Sequence, residues 1–209
     1  MTWWTDPVSD IDERCRAVIV GSGAGGAFAA CTLAEAGIDV VVLERGFHYA
    51  MSDMPSDLAG SINSMWAENS FRASLGSPPI PVAGGHGLGG STLINSAICF
   101  QTPGTTLDHW NELTGGLYED KEAYYAAQRD VEAVMHVRET PEALLSGNDK
   151  AHRSAARRLG WEEGVIRRNT PGCGGCGRCN AGCPIGGKNS VDREILPRAA
   201  AAGARRPPP

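Results

Sequence analysis

Three groups of residues in this sequence have types and spacings that suit chemistry. The first is Gly21-x-Gly23-x-x-Gly26, with Glu44 lying 23 positions beyond Gly21. Between a strand and a helix, such glycines serve a pyrophosphate. Gly21 allows the tight turn, Gly23 lets backbone approach the anion, and Gly26 lets the helix lie near the sheet. The free N–H groups and positive dipole end of the helix favour the anion. An acid closing the next strand suits a ribose hydroxyl. The second group is residues 82–99, VAGGHGLGGSTLINSAIC, with five glycines between Gly84 and Gly90. That density opposes a stable helix and suits backbone lying against a flat ligand. Ser91, Thr92 and Asn95 then offer hydroxyl and amide groups at the start of an expected helix; a flexible loop is the alternative for this segment taken alone. The third group is Cys173-x2-Cys176-x2-Cys179-x3-Cys183-Pro184. Its short glycine-rich spacers let thiolates converge, as soft metals and iron–sulfur clusters require, and the spacing matches the bacterial ferredoxin run. A zinc site and a cysteine-rich loop without metal stand as alternatives.

The elements that must position these groups are partly legible. Ala17–Val20 reads as a buried strand, residues 25–36 as a helix, and residues 38–43 as a second strand ending at Glu44. Ala27, Ala29, Ala30 and Ala34 permit close approach of the helix to a sheet, Cys31 reads as a small buried hydrophobe, and Gly37 suits the position just past the helix end. Residues 57–66 suggest a short helix, and the prolines of 77–81 enforce extended or turning backbone. Over 118–137, Tyr124, Ala127, Val131 and Val134 share one helical face, with Asp120 as N-cap. Residues 148–159 form another helix stopped by Gly160. His136, His152, Arg157 and Arg158 read as solvated or locally paired. Residues 1–14 read as a polar arm carrying Trp3 and Trp4, and no internal repeat is present.

Composition narrows the class. The chain has 209 residues, 42% hydrophobic and 21% charged, which suits a folded domain. A net charge of −5 gives no support to nucleic-acid binding or to an anionic membrane surface. No apolar run reaches the length of a transmembrane helix, and the first residues lack the basic and apolar regions of a signal peptide. The expected location is cytoplasmic. There, four of the seven cysteines clustered between Cys173 and Cys183 point to a metal or redox site before a disulfide framework.

GSGAGG at 21–26, Glu44, GGHGLGGSTLIN at 84–95 and GCPIGGKNSVDREILPRA at 182–199 occur in an order that resembles the glucose–methanol–choline (GMC) oxidoreductases. The likeness is to the branch with long-chain alcohol oxidases and bacterial FAD-dependent dehydrogenases. The resemblance implies an α/β fold: an FAD-binding Rossmann-like βαβ unit with a partly helical insertion. It divides the chain into an arm at 1–14, a first part of the FAD domain at 15–107, a helical segment at 108–170, a cysteine-rich loop at 171–189 and a returning helix at 190–209. It implies FAD as cofactor and oxidation of an alcohol CH–OH group by hydride transfer to flavin. Gly21, Ser22, Gly23, Gly25 and Gly26 would hold the pyrophosphate, Glu44 and Arg45 the adenosine end, and Gly89, Gly90, Ser91, Thr92 and Asn95 the flavin end. The resemblance leaves open a covalent flavin link through His86. Cys173-x5-Cys179-x3-Cys183-Pro184 also resembles a loop that holds a three-iron cluster in FAD-dependent sugar dehydrogenases, which implies an electron-acceptor protein as partner; the candidate metal ligands of the whole run are Cys173, Cys176, Cys179 and Cys183. The family's catalytic His falls beyond residue 209, and GARRPPP replaces the expected return into the sheet, because prolines supply no ladder N–H groups. The chain thus reads as an N-terminal fragment that would hold flavin weakly. Two other readings remain: a ferredoxin-like electron-transfer or metal-binding module, and a catalytically inactive fragment.

Overall fold

The computed structural model describes residues 12–205. Trp3 and Trp4, and the prolines at 207–209, lie outside the described residues. The chain is of mixed helix and strand and divides into two units, one of residues up to Ala97 together with those from Cys176 onward, the other of Ile98–Gly175.

In the first unit, β1 (Ala17–Val20) pairs in parallel with β2 (Val40–Leu43), in the register Ala17↔Val40 through Val20↔Leu43. Between them runs α1 (Ala24–Glu35). Its buried residues are Ala27, Ala30, Cys31 and Ala34, so a strip of small side chains faces inward. That strip lets α6 (Ile195–Ala201) pack closely on α1 through its own buried Ile195, Leu196 and Ala199. Burial pushes the Cys31 thiol above its ordinary pKa, in keeping with an inert packed hydrophobe.

α1 ends in a complete Schellman motif. Gly37, at φ +74°, donates to Ala34 O at 2.9 Å, and Ile38 N donates to Leu33 O at 3.0 Å. This explains why β2 begins at Val40 and not at 38: the Ile38 N–H is spent on closing the helix. After α6, Gly203 turns the chain and Arg205 lies beside β2. Val42 N donates to Arg205 O and Arg205 N donates to Val40 O, each at 2.8 Å. Pairing with the sheet thus begins before the prolines are reached, while the Arg205 guanidinium holds Asp39 at 2.9 Å.

The segment 46–80 carries α2 (Leu58–Met65), whose N-cap Asp57 accepts from Gly60 N at 2.7 Å. Met65, Leu93 and Ile94 form a buried cluster there, with Tyr49, Met54 and Trp66 against it.

The second unit holds α3 (Gly104–Thr114), α4 (Lys121–Val134), α5 (Gly147–Arg158) and a short antiparallel pair of β3 (Arg138–Glu139) with β4 (Arg167–Arg168). α5 starts with a capping box between Ser146 and Asp149. The Asp120 carboxylate caps α4 by accepting from Ala123 N at 2.9 Å. Asp120→Ala should therefore lower the stability of this unit by about 1 kcal/mol, read as a lower urea midpoint with an unchanged denaturant slope. None of the described helices is long and apolar enough to cross a membrane.

Candidate cofactor site

The glycines of the first turn serve different geometric needs. Gly21 sits at φ +90°, which a side-chain-bearing residue rarely adopts. A Cβ on Gly26 would lie 1.9 Å from Gly21 O and 3.2 Å from Ile19 Cγ2, so α1 can rest on β1 only with glycine here. A Cβ on Gly21 or Gly25 would meet nothing within 4 Å, leaving an open face at the start of α1. Gly23 is the N-cap, no side chain caps the helix there, and no acidic residue occupies the first turn. The leading N–H groups of α1 are thus placed to receive an anion.

Ser22 is fully buried and works inward. Its N–H donates to Glu44 Oε2 at 2.8 Å, its hydroxyl donates to the same oxygen at 2.6 Å, and Gly46 N donates to Glu44 Oε1 at 2.9 Å. The Ser22 hydroxyl also accepts from Gly89 N at 3.0 Å, in a buried bond between residues 67 apart. Ser22 therefore ties the end of β2, the first glycine turn and the second glycine segment together. Glu44 Oε1, bonded once here, keeps lone-pair capacity for another donor. Arg45 beside it is exposed.

The two glycine segments meet directly. A Cβ on Gly90 would lie 2.8 Å from Gly23 Cα, and one on Gly46 would lie 2.3 Å from Gly87 N. Gly89 (φ +104°) and Gly90 (φ +55°) bend the backbone there. The expected helix from Ser91 is instead one 3₁₀ turn, Gly90–Leu93. Its continuation is blocked: Ala97 N, which would bond Leu93 O in a helix, donates to Asn95 Oδ1 at 3.1 Å, and Leu93 O accepts from Lys188 Nζ at 2.8 Å. Ser91 Oγ accepts from Gly85 N, and Thr92 Oγ1 donates to Gly89 O and accepts from Val191 N. These hydroxyls shape the loop itself. His86 is half-buried, its N–H donates to Met65 O at 2.7 Å, and its ring lies 6.4 Å from that of Phe47.

Beneath Gly89 lies Asp192, whose Cβ and Oδ1 would be 3.2 Å from an added Cβ at Gly89. Asp192 Oδ1 is buried without a hydrogen-bond partner in this structure. Burial raises the Asp192 carboxyl above the usual carboxylate range, with Arg193 and His48 acting in the opposite direction. A carboxyl raised in the folded state stabilises below the ordinary carboxylate pKa and loses that contribution as pH rises through its folded value. Asp192→Asn should therefore raise the melting temperature at neutral pH, and the gain should fade on acidification; thermal unfolding across pH measures it.

Among the described residues, no three His, Cys, Asp or Glu side chains are grouped to hold a metal ion, so the assignment of Cys173, Cys176, Cys179 and Cys183 as ligands gains no support from this geometry. Gly175, Gly177 and Gly182 all have positive φ and turn the backbone repeatedly, leaving Cys176 exposed and Cys183 buried. Cys183 Sγ accepts from Lys188 N at 3.2 Å. Lys188, 1% exposed, sits where the loop folds inward. Burial pulls its ammonium down to about 8, with Cys179, Cys183 and Asp192 acting to raise it, so it remains charged at neutral pH. Sequence reasoning passed over both Ser22 as a strut and Lys188 as an interior cation. A serine inside a glycine motif and a single lysine in a loop carry no spacing signal.

This site fits an extended dinucleotide. It offers uncapped helix amides, a carboxylate with spare acceptor capacity, an open face at Gly21 and Gly25, and an orphaned buried carboxyl oxygen beside the second glycine loop. The comparisons with known proteins agree with that chemistry. The model of the GMC oxidoreductase family matches residues 17–206. An uncharacterized GMC-type oxidoreductase of Mycobacterium tuberculosis is 37% identical over 193 residues, covering 92% of this chain and 31% of the relative. A GMC-type oxidoreductase of Sinorhizobium fredii is 33% identical over 199 residues, covering 94% and 39%. A long-chain-alcohol oxidase of Arabidopsis thaliana is 31% identical over 192 residues, covering 91% and 25%. The chain thus spans between a quarter and two fifths of the length of these relatives.

Proposed function

The chain belongs to the GMC oxidoreductase family, and from that premise we propose that it is the FAD-holding part of an oxidoreductase acting on the CH–OH group of an alcohol. The observation that carries this reading is the buried bond from Gly89 N to Ser22 Oγ. It makes one continuous cradle from two glycine segments that sequence separates widely. FAD, when bound, supplies the hydride acceptor for alcohol oxidation.

The chain's own residues bind and orient. The amides opening α1, with Gly21, Gly23, Gly25 and Gly26, receive the pyrophosphate. Glu44 accepts from the adenosine ribose through its less-used oxygen, and Arg45 adds a positive charge beside an anionic ligand. Gly89, Gly90, Ser91, Thr92 and Asn95 present backbone to the flavin end. Ser22 contributes from behind, holding both loops at the spacing the cofactor needs. No residue of this chain is assigned the proton of the alcohol. The substrate class rests on the family and on relatives named long-chain-alcohol oxidases. The family match gives the ferredoxin-like alternative no support.

The test is an equilibrium titration of the purified chain with FAD, read as the change in flavin absorbance and fluorescence, which registers weak binding as well as tight. A saturable shift agrees with the proposal. Flavin whose spectrum stays that of free FAD at the highest protein concentration contradicts it. Release of the bound flavin on denaturation would exclude a covalent link through His86.

A further inference from the structure

Lys188 is among the largest fully buried side chains of the described residues, and it lies in the loop for which a metal was expected. Its ammonium carries three N–H donors. Three backbone carbonyls receive them: Leu93 O at 2.8 Å, Cys179 O at 2.9 Å and Asn95 O at 3.1 Å. Two of these acceptors belong to the second glycine segment and one to the cysteine-rich loop. The Lys188 backbone N–H adds a bond to Cys183 Sγ. Leu93 closes the 3₁₀ turn that starts at Gly90, so its carbonyl would be left without a helical partner if the lysine were absent. A buried charge is costly unless its hydrogen bonds are met, and here all three are met by oxygens whose dipoles point at the cation.

We propose that Lys188 is a positioning residue: its ammonium cross-links the cysteine-rich loop to the Leu93 and Asn95 carbonyls and so holds Gly89 and Gly90 against the first glycine turn. The chain of contacts is short. Lys188 fixes Leu93, the 3₁₀ turn fixes Gly90, and Gly89 N reaches Ser22. The functional consequence, correct spacing of the cofactor cradle, rests on the FAD reading above; the cross-link itself does not.

Hydrogen exchange of the cofactor-free 209-residue chain reads the cross-link directly. In Lys188→Met, which keeps an apolar stem without the charge, amide exchange over residues 89–95 should rise about tenfold or more, because hydrogen bonds to a charged donor are lost. Exchange over α5, in the other unit, should not change. In Lys188→Ala, n-propylammonium should restore slow exchange over 89–95, whereas n-propanol, of similar shape and without charge, should not. Unchanged exchange in the Met variant, or equal rescue by the alcohol, would overturn the proposal. Should Lys188→Met fail to fold, refolding of Lys188→Ala decides: recovery with n-propylammonium alone supports the cross-link, and no difference between the two additives overturns it. FAD titration of the same variants separates the two claims. A wild-type chain that binds no FAD sinks the cofactor reading and leaves the exchange result to stand or fall alone. A variant that exchanges fast yet binds FAD as tightly as wild type overturns the positioning role.

Discussion

Gly26→Ala is expected to abolish FAD retention and to destabilise the first unit by about 3 kcal/mol, at the upper end of overpacking costs. The reason is the identity of the atom that the new methyl would meet. Gly21 O, 1.9 Å away, is backbone in the turn itself, so no side-chain rotation relieves the clash. Either α1 lifts from β1, or the turn opens and Gly21 leaves its positive φ. Both outcomes displace the amides that would receive the pyrophosphate. Gly25→Ala is the matched control, because its added Cβ meets nothing within 4 Å of the protein. It should keep wild-type stability, and any loss of FAD affinity in that variant would come from the ligand's own need for space. Chemical denaturation and flavin titration of the two variants side by side measure the contrast.

Ser22→Ala should cost about 2 kcal/mol of stability and weaken FAD binding by about tenfold or more. Removing one hydroxyl leaves two groups unmet. Gly89 N loses its acceptor in a buried setting, and Glu44 Oε2 loses the closer of its two donors from Ser22. The penalty for such orphaned groups exceeds the net worth of an ordinary hydrogen bond. Ser22→Thr keeps the hydroxyl but adds a methyl at a site with no exposure, so it should recover part of the binding and little of the stability. A Ser22→Ala chain that binds FAD as wild type does would show that the two glycine segments hold the ligand independently.

Local rules made much of the first unit legible. The strand–turn–helix–strand order and the stop at Gly37, like the cap at Asp120 in the second unit, each follow from the conformational needs of one or two residues. Backbone accounting was harder to foresee. The early part of the expected strand at 38–43 was lost because Ile38 N completes the helix cap, and the helix expected from Ser91 was cut to one turn because a lysine 95 residues later takes the Leu93 carbonyl. α3 carries one buried residue, Leu107, and so gave little apolar periodicity to read, although Pro103 and Gly115 bracket it. The cysteine run shows the limit of spacing as a guide. Spacers say which thiols are able to meet, while the positive-φ glycines and the buried Lys188 that shape the loop leave no spacing signal. In the site itself, the glycines were visible from sequence; the Ser22–Glu44–Gly89 strut that joins them was not, since it depends on contacts across separate elements.

The most direct measurement of the central claim is hydrogen exchange of the chain with and without saturating FAD. If one molecule lies across both glycine segments, FAD will slow exchange at residues 21–26 and 89–95 together, with one common dependence on FAD concentration. Protection confined to 21–26, or two different concentration dependences, would contradict the claim that they form a single cradle.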